Sequence, residues 1–324
     1  MEIFNHAKVY NFMKLSTLMN AISIILAVFT IYLLVDRGLN YGIDFAGGTV
    51  VQVKYLDGDA PIDQIRKSVE QEPLFSGASV TEFGAKDEVT IRFQGSSESI
   101  GEDVGELMVK TLSDTGNFEV RRVDMVGPKV GNELKEKGLM AIIISLIAIL
   151  AYVAFRFEWR FGVAAIISEF HDVILIVGVI ALLRIDVNLE ILGAVLTLLG
   201  YSINDTIVVF DRIRDEMKTS KNTNLFEIID NSVSKTLSRT TLTSLTTLFV
   251  VAALLFFGGE SIYGFSLVLT VGIIIGTYSS IFIAAPLLKW LKFDVVEYRA
   301  NIVKKEKEKI EKAKMRARYE HGTI

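Results

Sequence analysis

Gly200-Tyr-Ser-Ile-Asn-Asp-Thr-Ile-Val-Val-Phe210 is the stretch whose reading decides the fold. It is part of an apolar block of membrane-spanning length, and it carries a carboxylate, Asp205. A carboxylate in the hydrocarbon core costs at least about 2.5 kcal/mol on insertion scales, a burden that a plain anchor would not carry. Gly193, Thr197, Gly200, Asn204 and Asp211 recur at helical steps and make one stripe of small and polar residues. Such a stripe lets neighbouring helices approach closely and hydrogen-bond. Asp205 lies beside it, flanked by Asn204 and Thr206, and is expected to face protein or a wet cavity rather than lipid. If the span ends near Phe210, Asp205 is roughly 8 Å from that end at 1.5 Å per residue.

The rest of the chain extends this pattern. Of its 324 residues, 51% are hydrophobic, and the mean hydropathy is +0.42. The apolar residues gather in six blocks long enough to cross a bilayer, at 15–35, 139–155, 161–183, 189–210, 237–257 and 263–288. An α-helical polytopic membrane protein with six transmembrane helices follows. The first block has Lys8 and Lys14 in front of it but ends Tyr-Leu-Leu-Val-Asp-Arg with no small-x-small cleavage site, and reads as a retained helix. With no cysteine, and with His6, His171 and His321 as the only histidines, neither a disulfide framework nor a His/Cys metal centre is expected. The net charge of −4 argues against a nucleic-acid partner.

Lys and Arg in short loops set topology. Arg156 and Arg160 follow the second span, and Arg212, Arg214, Lys218, Lys221 and Lys235 follow the fourth. The tail at 289–324 is rich in Lys and Arg, including Lys304, Lys305, Lys307, Lys309 and Lys312. The other side has Arg184 alone between spans three and four. Residues 1–14 and the tail are therefore expected in the cytoplasm, and residues 36–136 on the far side. The tail reads as a charged helix or as disordered chain, suited to anionic lipid head groups or simply solvated.

The far-side segment reads as strand 49–55, helix 62–72, strand 79–83, strand 88–93, helix 99–112 and strand 118–126, the ferredoxin-like order of an α+β domain. Ser97 or Ser99 is the expected cap of its second helix. Gly47 and Gly48 read as a tight turn into the first strand. The segment 36–133 holds 18 Asp and Glu against 10 Lys and Arg, which fits a solvated surface or a site for a transient basic or unfolded partner.

Arg239, near the start of the fifth apolar block, shares a stripe with Thr243, Thr246 and Val250 and falls at a depth comparable to that of Asp205. The two form a candidate proton pathway: desolvation raises a carboxylate's proton affinity and a nearby guanidinium lowers it, so moving one against the other would switch protonation. A structural ion pair, or an Arg239 that snorkels to the head groups, is the competing explanation. In the third span, Glu169, His171 and Asp172 put titratable groups within one turn, with Asp172 at the centre. They read as a proton relay or as a buried network that fixes packing. In the sixth span, Gly264, Gly272, Gly276 and Ser280 predict close helix packing, and Pro286 a kink or stop. No G-x-x-x-x-G-K-[ST], H-E-x-x-H or G-x-S-x-G occurs, so no catalytic residue, metal or cofactor is assigned and no enzyme activity is expected.

Residues 41–49 (Tyr-Gly-Ile-Asp-Phe-Ala-Gly-Gly-Thr), 126–131 (Val-Gly-Pro-Lys-Val-Gly), His171-Asp172, the run from Tyr201 to Arg214, and Ser238-Arg239-Thr240 together resemble the SecF family of bacterial protein-export membrane subunits, within the resistance–nodulation–division superfamily. The resemblance covers nearly the whole chain. It implies a subunit that works with SecD beside the SecYEG channel, in the company of YajC, to draw a preprotein across the bacterial inner membrane with the proton-motive force. It also implies that Asp205 and Arg239 are the proton-pathway residues. The alternatives are half of a proton-coupled small-molecule or lipid exporter of the same superfamily, or a scaffold that transports nothing.

Overall fold

The computed structural model describes residues 9–75, 77–93 and 103–320. Helix α1 (Phe12–Asp36) leads through a short turn of helix, α2 (Ile43–Ala46), into an α/β domain: β1 (Gly48–Tyr55), α3 (Ile62–Gln71), β2 (Ser79–Phe83), β3 (Ala85–Phe93), α4 (Val104–Leu112) and β4 (Phe118–Val126). Five long helical elements complete the bundle: α5 (Pro128–Arg156), α6 (Trp159–Leu182), α7 (Leu189–Thr219), α8 (Leu225–Phe257) and α9 (Glu260–Ser279). A π turn at Ser280–Ala284 and α10 (Ala285–Trp290) extend α9, and α11 (Val295–Glu320) forms the tail. Six helices are long and apolar enough to cross a membrane.

The four strands form an antiparallel sheet in the order β2-β3-β1-β4. Alternation in β1 decides which face is buried. Val51 lies opposite Ile91 and Val53 opposite Val89, and all four are fully buried beneath Ile65 and Val69 of α3 and Met108 of α4. Val50 opposite Arg92 and Gln52 opposite Thr90 point to the other, half-exposed face. At the entry to β1 both glycines are required. Gly47 and Gly48 have φ of 74° and 127°, and a Cβ on Gly48 would stand 2.7 Å from the Phe93 carbonyl oxygen.

The helix α4 begins later than the 99–112 expected, at Val104, and its cap is Asp103, which accepts from Gly105 and Glu106 N–H at 2.7 and 3.3 Å. Ser97 and Ser99 lie outside the described residues. The bundle helices also outrun their apolar blocks. α5 starts at Pro128, α7 continues to Thr219 and α8 starts at Leu225, because polar turns beyond the hydrocarbon keep helical hydrogen bonding. Arg239, expected near a helix start, is therefore well inside α8. The tail is the charged helix rather than disordered chain. Near its start, Arg299 donates to the carbonyls of Met217, Ser220 and Asn222 at 2.6–2.7 Å, closing the C-terminal end of α7.

Spans α6, α7 and the sixth form the interior, with 50%, 50% and 56% of their most apolar windows buried, while α1, α5 and α8 flank them with 17%, 11% and 17%. Glycines permit the contact. A Cβ on Gly272 of α9 would come within 2.1 Å of Leu198 of α7, and one on Gly276 within 3.0 Å of Ser202. The expected irregularity at Pro286 is the π turn just before it.

Phe75 fills the core of the α/β domain, fully buried, with its ring centroid 4.7 Å from that of Phe93. Phe75→Ala is expected to destabilise that domain by about 3–5 kcal/mol. Thermal unfolding of the detergent-solubilised chain, followed by proteolysis between α1 and α5, measures it.

Candidate functional site

The interior face of α7 carries Ser202, Asp205 and Thr206, all buried. This is not the face that the small-residue stripe predicted. Thr197, Gly200 and Asn204 are exposed, and no atom outside the helix's own backbone lies within 4 Å of a Cβ built on Gly193 or Gly200. Residues three and four apart on α7 share a face, so two nearly opposite faces are polar and only one packs against this chain.

Two hydrogen-bonded carboxylates occupy the packed side. Asp172 of α6, 2% exposed, is fully engaged. Its Oδ2 accepts from Ser202 Oγ of α7 at 2.6 Å and from Ser279 Oγ at the end of α9 at 2.7 Å, while His171 Nδ1 is 2.9 Å from its Oδ1. Three helices thus meet on one side chain. Asp205, also 2% exposed, accepts at Oδ2 from Ser244 Oγ of α8 at 3.2 Å. Thr277 of α9 donates to that same Ser244 hydroxyl at 2.8 Å. Ser202 and Asp205 are one turn apart on α7, so the two carboxylate centres share a helix.

Glu169 stands one turn before Asp172 and is fully buried, with neither carboxyl oxygen hydrogen-bonded among the described residues. The hydroxyls of Ser168, Thr206 and Thr240 and the Nε2 of His171 are likewise buried and without a hydrogen-bond partner there. An uncompensated charge at such a place is costly. Tyr201, at the rim, donates to the Thr243 carbonyl at 3.0 Å and to Thr247 Oγ1 at 3.1 Å, binding α7 to α8.

The structure brings together Asp172 and His171, with Glu169 one turn away, and places Asp205 and Thr206 in the same interior. It leaves the other three predicted residues outside. Asn204, Arg239 and Thr243 are exposed on the flanks of α7 and α8. Arg239 is close enough for its charge to act on Asp205, but no salt bridge joins the two among the described residues. Ser202, Ser244, Thr277 and Ser279 were missed. A serine or threonine within an apolar block has no distinctive spacing, and the one available signal was that a buried carboxylate must find donors on facing helices. Ser244 and Thr277 also line a lateral apolar groove of about 380 Å³ between α8 and α9, walled by Leu245, Leu248 and Ile273.

The sequence matches the family described as "Protein export membrane protein SecD/SecF, C-terminal" over residues 106–294 and the "SecD/SecF GG Motif" over residues 32–55. Among similar proteins, a protein translocase subunit SecF of Helicobacter pylori is 48% identical over 324 residues, which is all of both chains. The corresponding subunit of Vibrio alginolyticus is 43% identical over 88% of this chain and 91% of its own. The crystal structure of SecDF from Thermus thermophilus, described as a translocon-associated membrane protein, superposes with a TM-score of 0.81 at 34% identity, covering 90% of this chain. SecDF in a super-membrane-facing form superposes less closely, with a TM-score of 0.66 over 95% of this chain. The chain spans 40% and 41% of those two SecDF chains.

Removing one of two donors to the same oxygen leaves the other in place, so Ser202→Ala and Ser279→Ala are each expected to cost about 1–3 kcal/mol. The double variant is expected to exceed the sum of the two, because Asp172 Oδ2 then has no donor. A double-mutant cycle on thermal stability in detergent reads the coupling.

Proposed function

Because the chain belongs to the SecD/SecF family of protein-export membrane proteins, as a SecF-type subunit of the Sec translocase with a SecD partner, we propose that it converts proton entry at Asp205 into movement that promotes preprotein export. Energy comes from the proton-motive force. The machinery includes the SecYEG channel, YajC and the emerging preprotein, and the membrane is the bacterial inner membrane. Both termini are cytoplasmic and the α/β domain is periplasmic, as the distribution of Lys and Arg supports.

The observation that carries this reading is the state of Asp205: enclosed by α7, α8 and α9, hydrogen-bonded to a hydroxyl, and near a cation that does not grip it. A carboxylate locked in an ion pair is a strut. One held by a hydroxyl can gain a proton and keep its partner, because Ser244 can donate to the anion or accept from the acid. Arg239, free on its flank, then sets the charge balance. Its approach favours the anion and its withdrawal favours the acid. The Asp172–His171 pair and Glu169 continue the path, with the unpartnered oxygens of Glu169, Ser168 and Thr206 as its polar lining.

The exposed polar flank has its own place in this reading. Thr197, Gly200 and Asn204 of α7, with Arg239 and Thr243 of α8, cannot face hydrocarbon cheaply. Small residues that let a foreign helix come close, next to polar groups that need partners, fit a surface covered by SecD. The proton pathway is then completed at the seam between the two chains.

Asp205→Asn keeps the size and an acceptor for Ser244 but cannot titrate. In proteoliposomes holding this chain, SecD and SecYEG, it is expected to reduce gradient-driven preprotein export to the level seen without a gradient. Export that remained gradient-dependent would remove Asp205 from the mechanism.

A further inference from the structure

The N-terminal end of α7 is tied to the strip that leads into the α/β domain. Val187 N–H donates to the Asn40 carbonyl at 2.7 Å and Gly42 N–H to the Val187 carbonyl at 2.9 Å, so residues 40–42 run along the loop before α7 as a short parallel bridge. Two residues on, Asp44 Oδ2 accepts the N–H of Leu189, the first residue of α7, at 2.9 Å. Asn188, the helix cap, takes the Ile191 N–H at 2.9 Å. Asp44 therefore satisfies an amide that the helix's own cap leaves open, and its negative charge stands at the positive end of a 31-residue helix.

Asp44 is in α2, which runs directly into Gly47, Gly48 and β1. That strip cannot slip freely. A Cβ on Gly131 of α5 would be 3.0 Å from Gly47 N, and one on Gly42 would be 3.2 Å from Asn188 Cβ. A second tie lies beside it. Arg92 of β3 reaches Asp186 at 2.5 Å, and Asp186 is also hydrogen-bonded to Asn40. Asp44, Arg92 and Asp186 line a polar cleft of about 360 Å³ between the half-exposed sheet face and the helix ends, which leaves the joint room to move.

Asp205 is roughly 24 Å from Leu189 along the axis of the same helix at 1.5 Å per residue. A long helix is stiff along its axis, so a change at Asp205 arrives at this joint. We propose that Asp44 is a positioning residue for transport, coupling α7 to β1 so that movement of the helix that carries Asp205 is delivered to the α/β domain. The inference rests on the proton-driven reading above and deepens it by naming where the force leaves the membrane.

The test uses the full chain with SecD and SecYEG in proteoliposomes with preprotein present, and reads gradient-driven proton influx and export separately. In Asp44→Ala, export is expected to fall about tenfold while influx stays within about twofold of the unaltered chain, an uncoupling in the usual range of site-to-site coupling energies. Asp44→Asn restores most of the export, because its amide oxygen can still accept the Leu189 N–H. Unaltered export in Asp44→Ala, loss of influx together with export, or an Asn variant no better than Ala would each overturn the proposal. If Asp44→Ala does not fold, Gly42→Ala decides: it pushes the strip from Asn188 and leaves Asp44 intact. Export lost with influx kept supports the coupling, and any other result overturns it. Asp205→Asn serves as the control on the underlying reading. If that variant keeps both influx and export, the proton-driven reading fails whatever Asp44 does.

Discussion

A carboxylate in hydrocarbon needs donors, and for Asp172 and Asp205 the hydroxyl donors come from other helices. That constraint organises the bundle. Asp172 draws hydroxyls from α7 and from the end of α9, and Asp205 draws one from α8 that a threonine of α9 supports. Small residues make this possible, because Ser202 and Ser279 reach Asp172 only where Gly276 lets α9 come close to α7. Packing and polarity are one problem here. Asp172 and Asp205 each tie their own helix to at least one more.

The two centres differ in kind. Asp172 has two hydroxyl donors at Oδ2 and the His171 ring nitrogen at Oδ1, the arrangement of a group held in place. Asp205 has one longer contact and a cation at a distance, the arrangement of a group whose state can change without breaking the structure. They share α7, so a change at one is felt at the other through a single rigid element.

The sequence disclosed the layout through composition and periodicity. Residues 49–55 read as a strand, and Asp172 and Asp205 stood out because charge is rare in apolar blocks. Helix ends were less visible, since hydropathy marks where hydrocarbon stops and not where hydrogen bonding stops. The stripe on α7 misled for a physical reason. Gly193, Thr197, Gly200 and Asn204 do form a face, but it is exposed in this chain, and the serines on the packed face carry no spacing that separates them from any other serine. The apparent ion pair of Asp205 with Arg239 had the same weakness: comparable depth says nothing of azimuth around the helix.

Arg299 gives the long helix α7 a second fastening. The guanidinium grips three carbonyls at its C-terminal end, while the opposite end is held at Leu189. A rod pinned at both tips resists piston travel, because sliding must lengthen the bonds at one tip and crowd those at the other. Torsion about its own axis is far less opposed. Roll, rather than stroke, is then the soft degree of freedom, and a small roll would swing the Asp205 carboxylate toward or away from Ser244.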